Sequence, residues 1–204
     1  MPKVSYQHLF VVPFASCVWD DCAELNAAVL ERVFAHENAY RGDNRSNVGG
    51  LRSETGQLEF LGEAGRELLA RLQAAAYEAS RQVFSERGLA MPELRWQVQA
   101  WANVCRSGNF NSAHNHPGAT WSGVYYVDAG EPTSAAHSQL QLIAPDQARS
   151  STFFSYLLPD TVCINPKAGM MVLFPGYLLH AVVPHLGNRP RVSIAFNLRT
   201  DPFP

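Results

Sequence analysis

The chain is short of the features that mark several common protein classes. Its four cysteines, Cys17, Cys22, Cys105 and Cys163, are scattered and make no Cys-x-x-Cys pair. A zinc-finger reading is therefore unsupported, and four lone thiols in 204 residues read as reduced rather than as a disulfide framework. No apolar run approaches the ~20 residues that cross a bilayer. Charge of one sign is also scarce. Sixteen Lys and Arg stand against 18 Asp and Glu, a formal net charge of −2, which argues against nucleic acid or an anionic membrane as the main partner. Met1–Gln7 lacks the basic-then-apolar build of a signal peptide, so a cytoplasmic location is expected. Repeats, low-complexity tracts and linkers are missing too, and the expectation is one domain over 1–204.

What is present suits a folded chain. Apolar residues make up 47% and charged residues 17%. Residues 1–93 are predicted to form a helical support region with an N-terminal strand. His8–Val18 is β-prone. Asp20-Asp21 offers an N-cap for a helix to about His36, with Leu25, Val29 and Val33 on its apolar stripe and Leu30 and Phe34 beside it. Arg41–Gly56, rich in Gly, Asn, Ser and Arg, reads as loop. A second helix is expected over about Glu63–Arg87, with Leu69, Leu72, Ala76, Ala79 and Val83 as its buried stripe and Gly88 and Pro92 stopping it.

The pattern changes at Leu94. Short β-prone runs follow at about 94–105, 120–128, 138–143, 161–164, 169–174, 178–184 and 191–199, separated by Gly, Pro, Asn and Ser. Such spacing predicts a sandwich or jelly roll over 94–204, buttressed by the two helices. In the last run Arg191, Ser193, Ala195 and Asn197 fall on one face, and Val192, Ile194, Phe196 and Leu198 on the other.

The chemistry centres on histidine. His114 and His116 stand at i and i+2 on an extended segment, so both imidazoles project to one side. His180 lies far downstream between large aliphatics, Leu178 and Val182, where a wet surface is excluded. Two imidazoles from one segment and a third from another strand would make a facial set of ligands with open positions opposite, as in non-haem iron sites. Arg191 opens the last strand, and a guanidinium entering a small barrel needs an anion to satisfy it. His185 follows Pro184 and is an alternative third nitrogen. His8, His36 and His137 have no partner at useful spacing and read as structural.

These segments keep the order of a known pattern. His114-Asn115-His116, Val124-Tyr125-Tyr126-Val127, Gly169–Pro175, His180-Ala181-Val182 and Arg191–Asn197 resemble the 2-oxoglutarate- and iron(II)-dependent oxygenases of the prolyl hydroxylase branch. The Ser-Gly-Val-Tyr-Tyr and Ser-Ile-Ala-Phe-Asn strands are similar to those of a bacterial and phage group in that superfamily. The resemblance spans roughly Trp101–Asn197. It implies a double-stranded β-helix, a cupin-like jelly-roll barrel with the N-terminal helices packed outside. It further implies that His114, His116 and His180 ligate iron(II), and that Arg191 binds the far carboxylate of 2-oxoglutarate with Tyr126 and Ser193 beside it. Trp101 and Asn103 would border the metal pocket. The substrate would be a small molecule or a peptide, and no signal specifies the oligomeric state.

One position departs from the family. His116 stands where a carboxylate is usual, leaving a bound iron one charge more positive. Rival readings are a three-histidine dioxygenase or metal-assisted hydrolase without 2-oxoglutarate, and a non-catalytic jelly-roll binding module. Arg191 separates the first of these from the leading reading, because such enzymes need no anion clamp there.

Overall fold

A computed structural model describes residues 11–40, 42, 45–146 and 159–200. Strands β1 (Ala15–Val18), β2 (Asn47–Val48), β3 (Leu51–Arg52), β4 (Trp96–Cys105), β5 (Phe110–His114), β6 (Trp121–Asp128), β7 (Leu140–Ile143), β8 (Thr161–Ile164), β9 (Met170–Pro175), β10 (His180–Val182) and β11 (Arg191–Thr200) alternate with helices α1 (Ala23–Ala39) and α2 (Glu63–Glu86). They build two antiparallel sheets, ordered β1-β9-β6-β11-β4-β3 and β2-β5-β10-β7-β8. This is the expected double-stranded β-helix.

Strand parity divides the larger sheet into two environments. Val192, Ile194, Phe196 and Leu198 of β11 join Ala100, Ala102 and Val104 of β4 and Met171 and Leu173 of β9 against the helices. Leu25, Val29 and Val33 of α1 and Leu68, Leu72 and Ala76 of α2 close that core. Alternate residues face the other sheet, where Tyr126, Leu140, Leu142, Val172, Phe174 and Leu178 form a smaller cluster. The tyrosine pair splits accordingly. The Tyr125 hydroxyl donates to Asn26 Oδ1 of α1 at 2.6 Å, while Tyr126 lines the barrel interior. Trp121 ties β6 to α2 by donating its Nε1–H to Ser80 Oγ at 2.9 Å.

Three local expectations need correction, and one strand goes beyond the predicted runs. Asp20-Asp21 does not cap α1. The N-cap is Cys22, without a side-chain bond, and Asp21 pairs instead with Arg71 of α2 at 3.0 Å. The buried stripe of α2 runs through Leu68 rather than Leu69, with Gly65 and Ser80 also buried. Within Arg41–Gly56, two short strands form, β2 and β3, so residues from the first half of the chain enter both sheets. Finally, β5 lies in a stretch of Gly, Asn and Ser with little intrinsic strand preference. Its neighbours β10 and β2 supply the pairing that local sequence does not. Of the predicted strand His8–Val18, residues 8–10 lie outside the described residues.

Candidate metal centre

The three histidines meet through the sheet. In the β5–β10 ladder His180 is the register partner of His114. Their ring centroids lie 4.3 Å apart, and His116 completes a triangle at 5.1 Å from His114 and 5.2 Å from His180. One ring nitrogen from each falls within 4.8 Å of the other two.

His116 sits just beyond the end of β5, held by a backbone bond from its N–H to Gly176 O at 2.7 Å. Gly176 permits this approach. A Cβ there would stand 2.5 Å from Ala119 O and 2.7 Å from His116 O, closer than any side chain tolerates.

The free nitrogen of two rings is set by backbone carbonyls. His114 Nδ1 lies 2.7 Å from Ser112 O, and His180 Nδ1 lies 2.9 Å from Leu178 O. A carbonyl only accepts, so each Nδ1 carries the proton and each Nε2 presents a lone pair. Fixing the tautomer through the second nitrogen is how histidine ligands are oriented in metal sites. The Ser46 hydroxyl lies 3.3 Å from His114 Nε2 and can donate to it.

Burial also keeps the rings neutral. It is the main cause of depressed basicity in all three, lowering His114, taking His116 to about 4 and His180 to about 3. The neighbouring imidazole of His114 adds to the shift at His116 and His180, and the Arg52 charge adds at His116. The chemistry of the set, three neutral soft-to-borderline nitrogens converging on one point, fits a first-row divalent metal.

A chamber leads inward from the imidazoles, lined by Tyr126, Ser193, Asn103, Trp101 and Arg191. Arg191 is 3% exposed. It donates from Nη1 to Ser138 O at 3.2 Å and from Nη2 to Cys105 Sγ at 3.0 Å, while its Nε is buried without a partner. Among the described residues no carboxylate pairs with it. A buried guanidinium with an unmet donor fits a carboxylate ligand. Burial pushes the Tyr126 hydroxyl up to about 12, against a smaller opposing pull from the Arg191 charge, so it stays protonated and able to donate.

Every sequence-predicted residue of the site is thus in one place. His185 is not. It is fully buried, with Nδ1 against Ser138 Oγ at 2.5 Å and Nε2 against Arg189 O at 2.7 Å, so both nitrogens are engaged away from the triad. His36 pairs with Glu54 at 2.7 Å, His137 bonds Thr133, and His8 lies outside the described residues. Trp101 stands edge-on to His116 with ring centroids 5.8 Å apart. Asn103 accepts from Asn47 Nδ2 at 3.1 Å. Sequence reasoning missed Ser46, Asn47, Arg52, Cys105 and Ser138. Four of them sit in loops or two-residue strands that carry no periodic signal, and Cys105 gains its role only from pairing opposite Arg191.

Residues 99–197, about half of the chain, match the family model described as "Putative 2OG-Fe(II) oxygenase". Curated proteins include no match to this chain. Solved structures do match in fold. A prolyl-4-hydroxylase from Pseudomonas putida superposes with a TM-score of 0.65 at 17% identity, covering 94% of both chains. A prolyl hydroxylase from Trichoplax adhaerens, in complex with a hypoxia inducible factor peptide fragment, gives 0.59 at 16% identity over 92% of this chain and 83% of that one. HygX from Streptomyces hygroscopicus, with nickel and 2-oxoglutarate bound, gives 0.56 at 12% identity over 92% and 83%.

Proposed function

Because the chain belongs to the 2-oxoglutarate- and iron(II)-dependent oxygenases, we propose that His114, His116 and His180 hold the iron, and that Arg191, Tyr126 and Ser193 bind 2-oxoglutarate. The observation that carries this assignment is the buried, unsatisfied Nε of Arg191 in the same chamber as three converging imidazoles. When bound, iron and 2-oxoglutarate would together activate O2, one of its oxygen atoms entering succinate as the co-substrate loses CO2 and the other hydroxylating a substrate C–H bond.

The chain's own residues do the rest. His114 and His180 keep their Nδ1 protons on Ser112 O and Leu178 O, which aims Nε2 at the metal. Ser46 must release His114 Nε2 as the metal arrives. Arg191 neutralises the far carboxylate, and the protonated Tyr126 hydroxyl donates to the co-substrate. Phe174, 4.8 Å from the His180 ring, and Leu140 keep that end of the chamber dry.

HygX holds nickel and 2-oxoglutarate on the same fold, which supports this pairing of ligands. The Trichoplax neighbour holds a peptide, which supports the peptide alternative for the substrate. Free thiols at all four cysteines support a reducing, cytoplasmic compartment.

Anaerobic addition of iron(II) and 2-oxoglutarate tests the assignment. An absorption band that needs both components, followed by succinate on admitting oxygen, is expected. Iron binding indifferent to 2-oxoglutarate would favour a co-substrate-free three-histidine enzyme. Binding of neither would leave a non-catalytic module.

A further inference from the structure

β11 carries an arginine at each end of one face. Arg191, Ser193, Ala195, Asn197 and Arg199 alternate onto it, and eight residues of strand put the terminal pair about 26 Å apart. Arg191 lines the inner chamber. Arg199 lines a second, outer chamber of about 350 Å³. The two chambers share Ser46, Trp101, His114 and His116 as their common wall, so the proposed metal site stands between the two guanidinium groups.

The outer chamber has a distinct chemistry. Two more arginines line it, Arg45 and Arg52, and among its described lining residues there is no Asp or Glu. Arg52 is buried, stacked 4.5 Å over the Trp101 ring, and steadied by donating to Ser53 O and to Thr55 Oγ1. Gln99 and Asn197, register partners on β4 and β11, add amide groups to the same wall. A concave site walled by cations concentrates anions, here in a protein whose net charge is −2.

We infer that the outer chamber receives an anionic substrate, carboxylate- or phosphate-bearing, whose charged group docks on Arg199 and Arg52 while its reacting carbon faces His116. The word substrate rests on the oxygenase reading above. The anion site itself rests only on the chamber's lining.

The test is an amide and indole NMR titration of the full chain, both metal-free and loaded with zinc(II) and saturating 2-oxoglutarate. Glutarate and inorganic phosphate are the anion probes, and glutaramide is the neutral control, all at constant ionic strength. At least one anion should shift the Trp101 indole and the Gln99 and Asn197 amides saturably, and glutaramide should not. A response to glutarate alone assigns a carboxylate group, and to phosphate alone a phosphate. Arg199→Gln, at an exposed position safe for folding, should weaken that binding roughly fivefold or more, with 2-oxoglutarate binding unchanged. Arg52→Gln is the second variant. Absence of a saturable shift with both anions, equal shifts with glutaramide, or wild-type affinity in both variants would overturn the inference. Should 2-oxoglutarate itself leave the amides around Arg191 unmoved, the oxygenase reading fails instead, and the metal-free titration still decides the anion site.

Discussion

His114 and His180 are register partners across the β5–β10 ladder, with ring centroids 4.3 Å apart. Cross-strand pairing therefore brings two of the three proposed ligands together, and removing one imidazole removes a ligand without removing the frame. His180→Ala should lose iron(II) affinity by about a hundredfold or more, beyond what loss of an outer-shell contact costs. Stoichiometric iron with unchanged affinity in that variant, measured anaerobically by chelator competition, would refute the assignment.

His116 is the ligand that departs from the family. His116→Ala should weaken iron binding markedly. His116→Asp should retain iron and should not lower succinate production, because it restores a carboxylate beside the metal. Bound iron and succinate measured in both variants decide the matter. Full occupancy and unaltered turnover in His116→Ala would make it a bystander.

Arg191→Ala should reduce 2-oxoglutarate affinity about tenfold or more, since a charge-assisted hydrogen bond contributes ~1.5–3 kcal/mol. Iron binding should persist. Arg189→Ala is the control. Arg189 lies outside the chamber, half-exposed and paired with Asp128 at 3.2 Å and Glu131 at 3.3 Å. Calorimetric titration of both variants gives the comparison, and loss in Arg189→Ala alone would contradict the register of β11.

A free imidazole titrates at ~6.5, which would make metal affinity fall below that pH. Burial moves the window. His116 stays neutral to about 4 and His180 to about 3, and His114 is lowered too, so proton competition at His116 and His180 becomes strong only near those values, well below the free-imidazole range. The same shifts act on folding. Unfolded histidines take up protons as pH falls through ~6.5, and the folded ones do so only much lower. Between these values the unfolded state binds more protons. Stability of the metal-free protein is thus fully present above about 6.5 and declines as pH falls toward 4. Urea midpoints of wild type and His180→Asn between these limits should show a shallower pH slope in the variant, and identical slopes would count against the account.

Leu68 and Leu69 are neighbours in sequence with different fates on α2. Leu68 is fully buried against the larger sheet, and Leu69 only partly. Leu68→Ala should destabilise by roughly 2–5 kcal/mol. Leu69→Ala should cost clearly less, about 1 kcal/mol. Chemical denaturation of the two variants would expose the error if the order were reversed.

Much of this was legible because strand parity is a property of the chain itself. Alternation in β11 places Arg191 and Ser193 opposite Val192 and Ile194 whatever the strand packs against, and the same rule separates Tyr126 from Tyr125. The helix stripe was less legible. Leu68 and Leu69 both suit an apolar face, and only the angle at which α2 crosses the sheet selects between them. The cap of α1 failed for a similar reason, since Asp21 is taken by Arg71 from the other helix.

Strand alternation, the His114–His116 spacing and the apolar setting of His180 were determined by the sequence, and with them the ligand types of the proposed centre. The tertiary structure alone decided that His180 lands opposite His114, that Arg52 stacks on Trp101 beside His116, and that Arg199 opens onto a chamber the arginine at the other end of its strand never reaches. Local sequence encodes which way a side chain points along its own strand. Which strand lies alongside is set by cross-strand hydrogen bonds and burial between residues far apart in the chain, and no single stretch contains that information.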